Sequence, residues 1–155
     1  MNERRKMISA SARVAAALAA AGLLPHGAFA QAGGWNKAAF DAKTMADLMK
    51  TMGASAPAES KDITLTAPDI AENGAVVPIG VATTLSGVRR LMVLVEKNPN
   101  VLAAVFDVSD AVEANFGTRV KMGQSSDVFA VALMGDGKAL FAKKEVKVTL
   151  GGCGG

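Results

Sequence analysis

The stretch from residue 127 to residue 150, DVFAVALMGDGKALFAKKEVKVTL, decides the fold. Its run Val128–Met134 is apolar at every position, so a strand there needs cover on both faces. Asp136-Gly137 separates Phe129–Met134 from Leu140–Leu150 and predicts a hairpin, with a type I′ turn that requires φ > 0 at both central residues. Val146, Val148 and Leu150 then alternate with Lys147 and Thr149, the period of a strand with one buried face. The last two strands are expected to be adjacent and antiparallel, the final one forming a rigid sheet edge that runs up to the terminal glycines.

Working back toward the amino terminus, similar β-rich runs recur. Strands are expected near 61–67, 75–82, 88–96, 101–108, 116–122, 127–134 and 138–150, separated by Asn73-Gly74, Ser86-Gly87, Asn98-Pro99-Asn100, Gly123 and Asp136-Gly137. Seven runs at this spacing predict an all-β sandwich over 61–150. Leu91–Val95, like Val128–Met134, is apolar throughout. One face of each can meet the opposite sheet, and the other needs a helix or a partner subunit. Residues 31–60 offer the helix: Asn36 suits an N-cap, Phe40, Leu48, Met49 and Met52 recur near helical spacing, and Gly53 suits C′. Met45, Met49 and Met52 make a soft stripe that could adapt to a partner, although packing on the chain's own sheet is the simpler account. Ser55 to Ser60, with Pro57, reads as a linker.

Beyond the final strand come Gly151, Gly152, Cys153, Gly154 and Gly155. Neither helix nor sheet holds a cysteine set among four glycines, so a flexible arm is expected. Fully extended, five residues reach roughly 17 Å at about 3.3–3.6 Å each. The arm carries the only cysteine of the chain, and nothing beside it can bury the thiol. An unpaired cysteine in an exported protein points to intermolecular pairing or a reactive thiol.

Export is read from the other end. Arg4, Arg5 and Lys6 precede an apolar stretch, Val14 to Leu24, and then Ala28-Phe29-Ala30, a small-x-small cleavage pattern. Residues 1–30 are expected to be a signal peptide, with Arg4-Arg5 indicating the twin-arginine route and a mature start at Gln31. The stretch is about half the roughly 20 residues that a membrane span needs, so no membrane span is expected. Residues 1–30 hold Arg4, Arg5, Lys6 and Arg13 of the 17 basic residues and Glu3 of the 14 acidic ones, leaving 13 of each. A neutral mature chain gives no support for nucleic-acid or membrane-surface binding.

The only histidine, His26, also lies within residues 1–30. The remaining side chains cannot supply a Ser-His-Asp or Cys-His pair, a thiolate or imidazole zinc cage, or a CxxC redox pair. Asp107 and Asp110 lie beside turns and read as caps or solvated loop residues. No catalytic residue, metal site or cofactor is therefore expected, and chemistry at Cys153 needs another protein to supply the acid, base, metal or electron acceptor. Arg89-Arg90, Arg119 with Lys121, and Lys143-Lys144 are read as solvated strand charges rather than steering sites.

Six segments together resemble a known family. They are the helix with Phe40 and Ala46-Asp47-Leu48, then Ala71-Glu72-Asn73-Gly74-Ala75-Val76-Val77-Pro78 and Val95-Glu96-Lys97-Asn98-Pro99. Thr118-Arg119-Val120-Lys121-Met122, Gln124-Ser125-Ser126-Asp127-Val128, and Lys144 through Val148 into the terminal pentapeptide complete the set. The chain resembles the SoxY family, the sulfur-carrier subunits of the thiosulfate-oxidising (Sox) system. The resemblance implies an immunoglobulin-like sandwich, no enzymatic activity, a periplasmic location and a heterodimer with a SoxZ-like subunit. It further implies that Cys153 holds the substrate covalently while the carrier docks transiently with SoxAX, SoxB and, where that enzyme exists, a sulfane dehydrogenase.

Two other functions fit parts of the pattern. A ubiquitin-like sulfur carrier would use the terminal Gly-Gly carboxylate and leave Cys153 without a role. A structural or adhesion sandwich would use Cys153 only to form a covalent dimer.

Overall fold

The computed structural model describes residues 36–150. Two short helices come first. Helix α1 (Lys37–Phe40) begins at Asn36, whose side-chain oxygen accepts from the Ala39 amide at 3.1 Å. Helix α2 (Met45–Thr51) begins at Thr44, whose hydroxyl accepts from the Asp47 amide at 3.1 Å and donates to the Asp47 carboxylate at 2.7 Å. The single helix expected from Asn36 is thus two. Thr44 captures an amide that a continuous helix would use, and the Ala42 carbonyl is taken by the Val101 amide at 3.1 Å. Gly53 holds φ +66° just past the Met52 cap, the left-handed C′ position expected of it.

Nine strands follow: β1 (Ala58–Glu59), β2 (Ile63–Thr66), β3 (Ile70–Ala71), β4 (Val77–Thr83), β5 (Val88–Val95), β6 (Leu102–Asp107), β7 (Asn115–Val120), β8 (Ser126–Met134) and β9 (Ala139–Val148). The larger sheet runs β1-β9-β8-β5-β6 with β3 also on β9, and the smaller runs β2-β4-β7. This is the immunoglobulin-like sandwich. The seven expected runs correspond to β2 and to β4 through β9, while β1 and β3, of two residues each, have no sequence period by which to be read.

Three sequence readings are corrected. Residues 58 and 59 are not linker, because Ala58 and Glu59 pair in parallel with Leu140 and Phe141. The final strand is not a bare edge, since β1 and β3 both lie along the side of β9 that β8 leaves open. The β8–β9 turn is not type I′. Only Gly137 has positive φ (+85°), while the Gly137 amide donates to Met134 O at 3.1 Å and the Met134 amide donates to Lys138 O at 2.8 Å. These bonds enclose a three-residue loop with glycine in the left-handed place, which spares Asp136 a conformation that L-residues avoid.

The doubly apolar strands are covered as expected, with the helices supplying the second face. Leu91, Val93, Val95, Val128, Ala130 and Ala132 face the smaller sheet in one core cluster, which also holds Val77, Ile79, Val81 and Met122. Met92, Leu94, Val131 and Leu133 face the other way, against Ala39, Ala42, Leu48 and Met49. The methionine stripe packs on the chain's own sheet: Met49 is buried there, with Met45 and Met52 half-buried beside it. Phe106 stacks on Phe116 with centroids 4.6 Å apart, tying β6 to β7 across the open side of the sandwich.

Two outcomes follow from this arrangement. Leu48, fully buried, packs the helices to the sheet, so Leu48→Ala should cost about 2–5 kcal/mol in urea unfolding while leaving the slope nearly unchanged. In the β8–β9 turn, Asp136 accepts from the Lys138 amide at 3.0 Å and lies 3.1 Å from Lys138 Nζ. The backbone bond first, then the ammonium, hold its carboxyl below the ordinary 3.8. A lowered native value means that this contribution is present above the unfolded value and is lost as pH falls through the native one. The Lys138 amide resonance should titrate with a midpoint below 3.8, and a midpoint at or above that value would exclude the contact.

Candidate functional site

Strand β9 ends at Val148, and two residues later the chain reaches the glycines. How firmly those two residues are held fixes where the arm begins. Alternation alone does not hold them, because Leu150, third in the series Val146, Val148, Leu150, lies past the core and is exposed. Hydrogen bonds hold them instead. Ile70 and Ala71 pair in parallel with Lys147 and Val148, the Lys147 amide donating to Asp69 O at 3.0 Å and the Thr149 amide to Ala71 O at 3.1 Å. The Thr149 hydroxyl donates to Glu72 O at 3.1 Å, and the Gly74 amide donates to Leu150 O at 2.7 Å. Residues 69–74 thus form a strap that follows the chain to its last described residue.

The strap is itself anchored. Asn73 closes a turn by accepting from the Ala75 amide at 2.8 Å, and Gly74 O accepts from the amide of buried Met122 at 2.7 Å. Asn98 bridges from the β5–β6 loop, donating to Lys121 O at 2.7 Å and accepting from the Gly123 amide at 3.3 Å. Lys144 pins the start of the strap, reaching Ala67 O at 2.6 Å and Asp69 at 2.9 Å. On the opposite side of β9, the Ser125 hydroxyl accepts from the Val148 amide at 2.9 Å, and buried Ser126 accepts from the Lys97 amide at 3.0 Å. Ser125 thus receives an amide that lies two residues beyond the last β8–β9 pair, Ser126 with Val146.

The turn expected at Asn73-Gly74 is present, while Ser125 and Ser126 have a structural role that the sequence did not reveal. A serine beside a strand start and an Asn-Gly turn are commonplace, and their shared partner strand is visible only once folding brings them together. The one available signal was that five segments, around 71–78, 95–99, 118–122, 124–128 and 144–148, carry the family resemblance. All five converge on this end of the sandwich.

Large apolar side chains are exposed around the root among charged ones: Ile70 in the strap (58%), Leu150 in the root (60%) and Val76 two residues past the strap (52%), Val112 being the fourth such residue described. Cys153 and Gly151, Gly152, Gly154 and Gly155 lie outside the described residues, as does the expected signal segment.

The other singled-out groups lie elsewhere or serve the fold. Asp107 accepts from Arg90 Nε at 2.7 Å, Lys143 lies 3.6 Å from Asp127, and Asp110 sits in an exposed loop. Among the described residues no three His, Cys, Asp or Glu side chains come together as a metal site. Met52, near Arg90, and the Arg89-Arg90 pair belong to the opposite end of the sandwich from the root.

Ser125→Ala should leave the Val148 amide without its acceptor while sparing the core. Hydrogen exchange at Val148 and Thr149 should accelerate by roughly tenfold, equivalent to about 1.4 kcal/mol of local opening, with exchange at Val131 unchanged. Unchanged exchange at Val148 would show that the strap alone holds the root.

A family model described as sulfur oxidation protein SoxY matches residues 48–153, from α2 to the cysteine of the terminal pentapeptide. The sulfur carrier protein SoxY from Chlorobium limicola f thiosulfatophilum is similar in structure with a TM-score of 0.61 at 34% identity, over 69% of this chain and 97% of that one. A superoxide reductase (neelaredoxin) from Ignicoccus hospitalis gives a TM-score of 0.50 at 16% identity, over 56% of this chain and 79% of that one, a likeness of fold alone. No curated protein matches the chain. With a family match over most of the sandwich and through Cys153, and a solved sulfur carrier of the same fold, the chain belongs to the SoxY family of sulfur-carrier proteins.

Proposed function

We propose that this chain carries thiosulfate-derived sulfur covalently on Cys153, in the periplasm, without an active site of its own. The observation that carries the reading is the placement of the cysteine three residues beyond a root held on both sides, by Gly74 through Leu150 and by Ser125 through Val148. The leader-like residues 1–30 support the location, and the SoxY match supports the cargo.

Coupling joins the Cys153 sulfur to the terminal sulfur of thiosulfate, releasing one proton and two electrons, which a haem-containing SoxAX component accepts. Hydrolysis by SoxB then cleaves the bond between sulfane and sulfone sulfurs, water supplying the oxygen of the departing sulfate and leaving a persulfide on the cysteine. A sulfane dehydrogenase, where present, oxidises that remaining sulfur. A SoxZ-like subunit completes the carrier as a heterodimer. Because Cys153 lies about 10 Å from Leu150 when extended, any enzyme that encloses it brings its entrance to the rim of Ile70, Val76 and Leu150.

Incubating the partnered chain with thiosulfate and the coupling enzyme should give a reducible sulfur adduct on Cys153 by peptide mass spectrometry. Thiosulfate consumption with an unmodified Cys153 would overturn the mechanism. Cys153→Ser should abolish turnover, whereas a thiocarboxylate carrier would survive it and fail instead on deletion of Gly155.

A further inference from the structure

Arg89 and Arg90 enter β5 at an irregularity. Val88 faces Met134 on β8, but Arg90 faces Leu133, so Arg89 is the extra residue of a bulge. In a regular strand neighbouring side chains point to opposite faces. Here both arginines line one concave cavity of about 470 Å³, walled by the β8–β9 turn, the end of α2 and the end of β6.

The Arg89 side chain lies along the β8–β9 turn, where a Cβ at Gly135 would be in ordinary contact with it, 3.4 Å from Arg89 Nε and 3.7 Å from Arg89 Cγ. Arg90 is held by Nε to Asp107 at 2.7 Å, with Nη1 3.8 Å from Met52 Sδ. That leaves donors of its outer edge unused. The Arg89 guanidinium donates to no described residue. Two guanidinium charges meet one carboxylate, and the net positive charge sits in a recess rather than on an open face.

The geometry points to a binding site for a small dianionic oxyanion, of the sulfate and thiosulfate class, between the guanidinium groups of Arg89 and Arg90. Paired guanidinium forks match the spacing of tetrahedral oxyanion edges, and charge-assisted bonds of this kind are the strong ones. Asp107 opposes the anion and also fixes Arg90 in place, so the site should be of modest affinity and readily reversible. It lies at the turn end of β8, about 30 Å along the strands from the root at about 3.3 Å per residue. An arm of roughly 17 Å cannot bring Cys153 there, so this anion is bound apart from the cysteine chemistry.

The test uses the full ¹⁵N-labelled chain with Cys153→Ser, so that no adduct forms. It is titrated with sodium thiosulfate and, separately, sodium sulfate against sodium chloride at matched ionic strength. Saturable shifts of the Arg89 and Arg90 side-chain resonances and the Gly135 and Val108 amides are expected with both dianions. Saturation by thiosulfate alone would also support the site and narrow its ligand. Arg89→Gln should weaken binding by about tenfold or more, and Arg89→Lys, which keeps charge and loses the fork, by less. Unchanged Leu91 and Val131 amides establish that each variant is folded, and Arg89→Lys serves if Arg89→Gln is not. A non-saturating response equal to that of chloride, undiminished affinity in both variants, or saturable shifts centred on the root would overturn the site.

Discussion

Burial of β5 and β8 on both faces is the constraint on which the rest of this structure depends. A strand that is apolar on each side cannot lie on the surface of a two-layer sandwich, so the fold must supply a third layer. The smaller sheet covers Leu91, Val93, Val95 and Val128, and the two capped helices cover Met92, Leu94 and Val131. With its central strands fixed in this way, the larger sheet gives β9 a rigid neighbour from Ala139 to Val146. The final strand can then bear a terminal segment without needing that segment for its own stability.

The division between what the residues revealed and what they hid follows the range of the interactions. Alternation, uniform apolar runs and turn glycines are local, and they identified seven strands, the antiparallel β8–β9 pair and the need for helical cover. Gly53 as a helix stop was legible for the same reason. The break between α1 and α2 was not, because it depends on the Ala42 carbonyl bonding to Val101 from a distant loop. The turn at Gly135-Asp136-Gly137 was assigned to the right place and the wrong type: a third residue joins the loop, and only Gly137 needs the left-handed conformation.

The same contrast applies to the root of the arm. The terminal pentapeptide was conspicuous because cysteine among glycines is chemically unusual. Its support was not, since Ser125, Asn73 and Gly74 are ordinary residues that act through backbone bonds to a strand far away in the sequence. The family-like segments make physical sense once they are seen as one collar. Ser125 meets β9 from the β8 side, the strap meets it from the other, and Met122 and Asn98 brace the strap from behind. Hydrogen bonds to consecutive backbone groups fix the last described residues of β9 and its continuation where side-chain packing no longer reaches.

The strap also has a consequence for how the chain folds. The Thr149 hydroxyl and the Glu72 carbonyl that it bonds are separated by 77 residues, and Lys144 reaches Ala67 over the same interval. Closing so long a loop costs entropy that only the assembled sandwich can offset, which makes the collar among the last parts to form. During synthesis its second half emerges some 77 residues after its first. The root can lock only when the sheets between these partners are already paired, so a locked root is a built-in sign that the sandwich behind it is assembled.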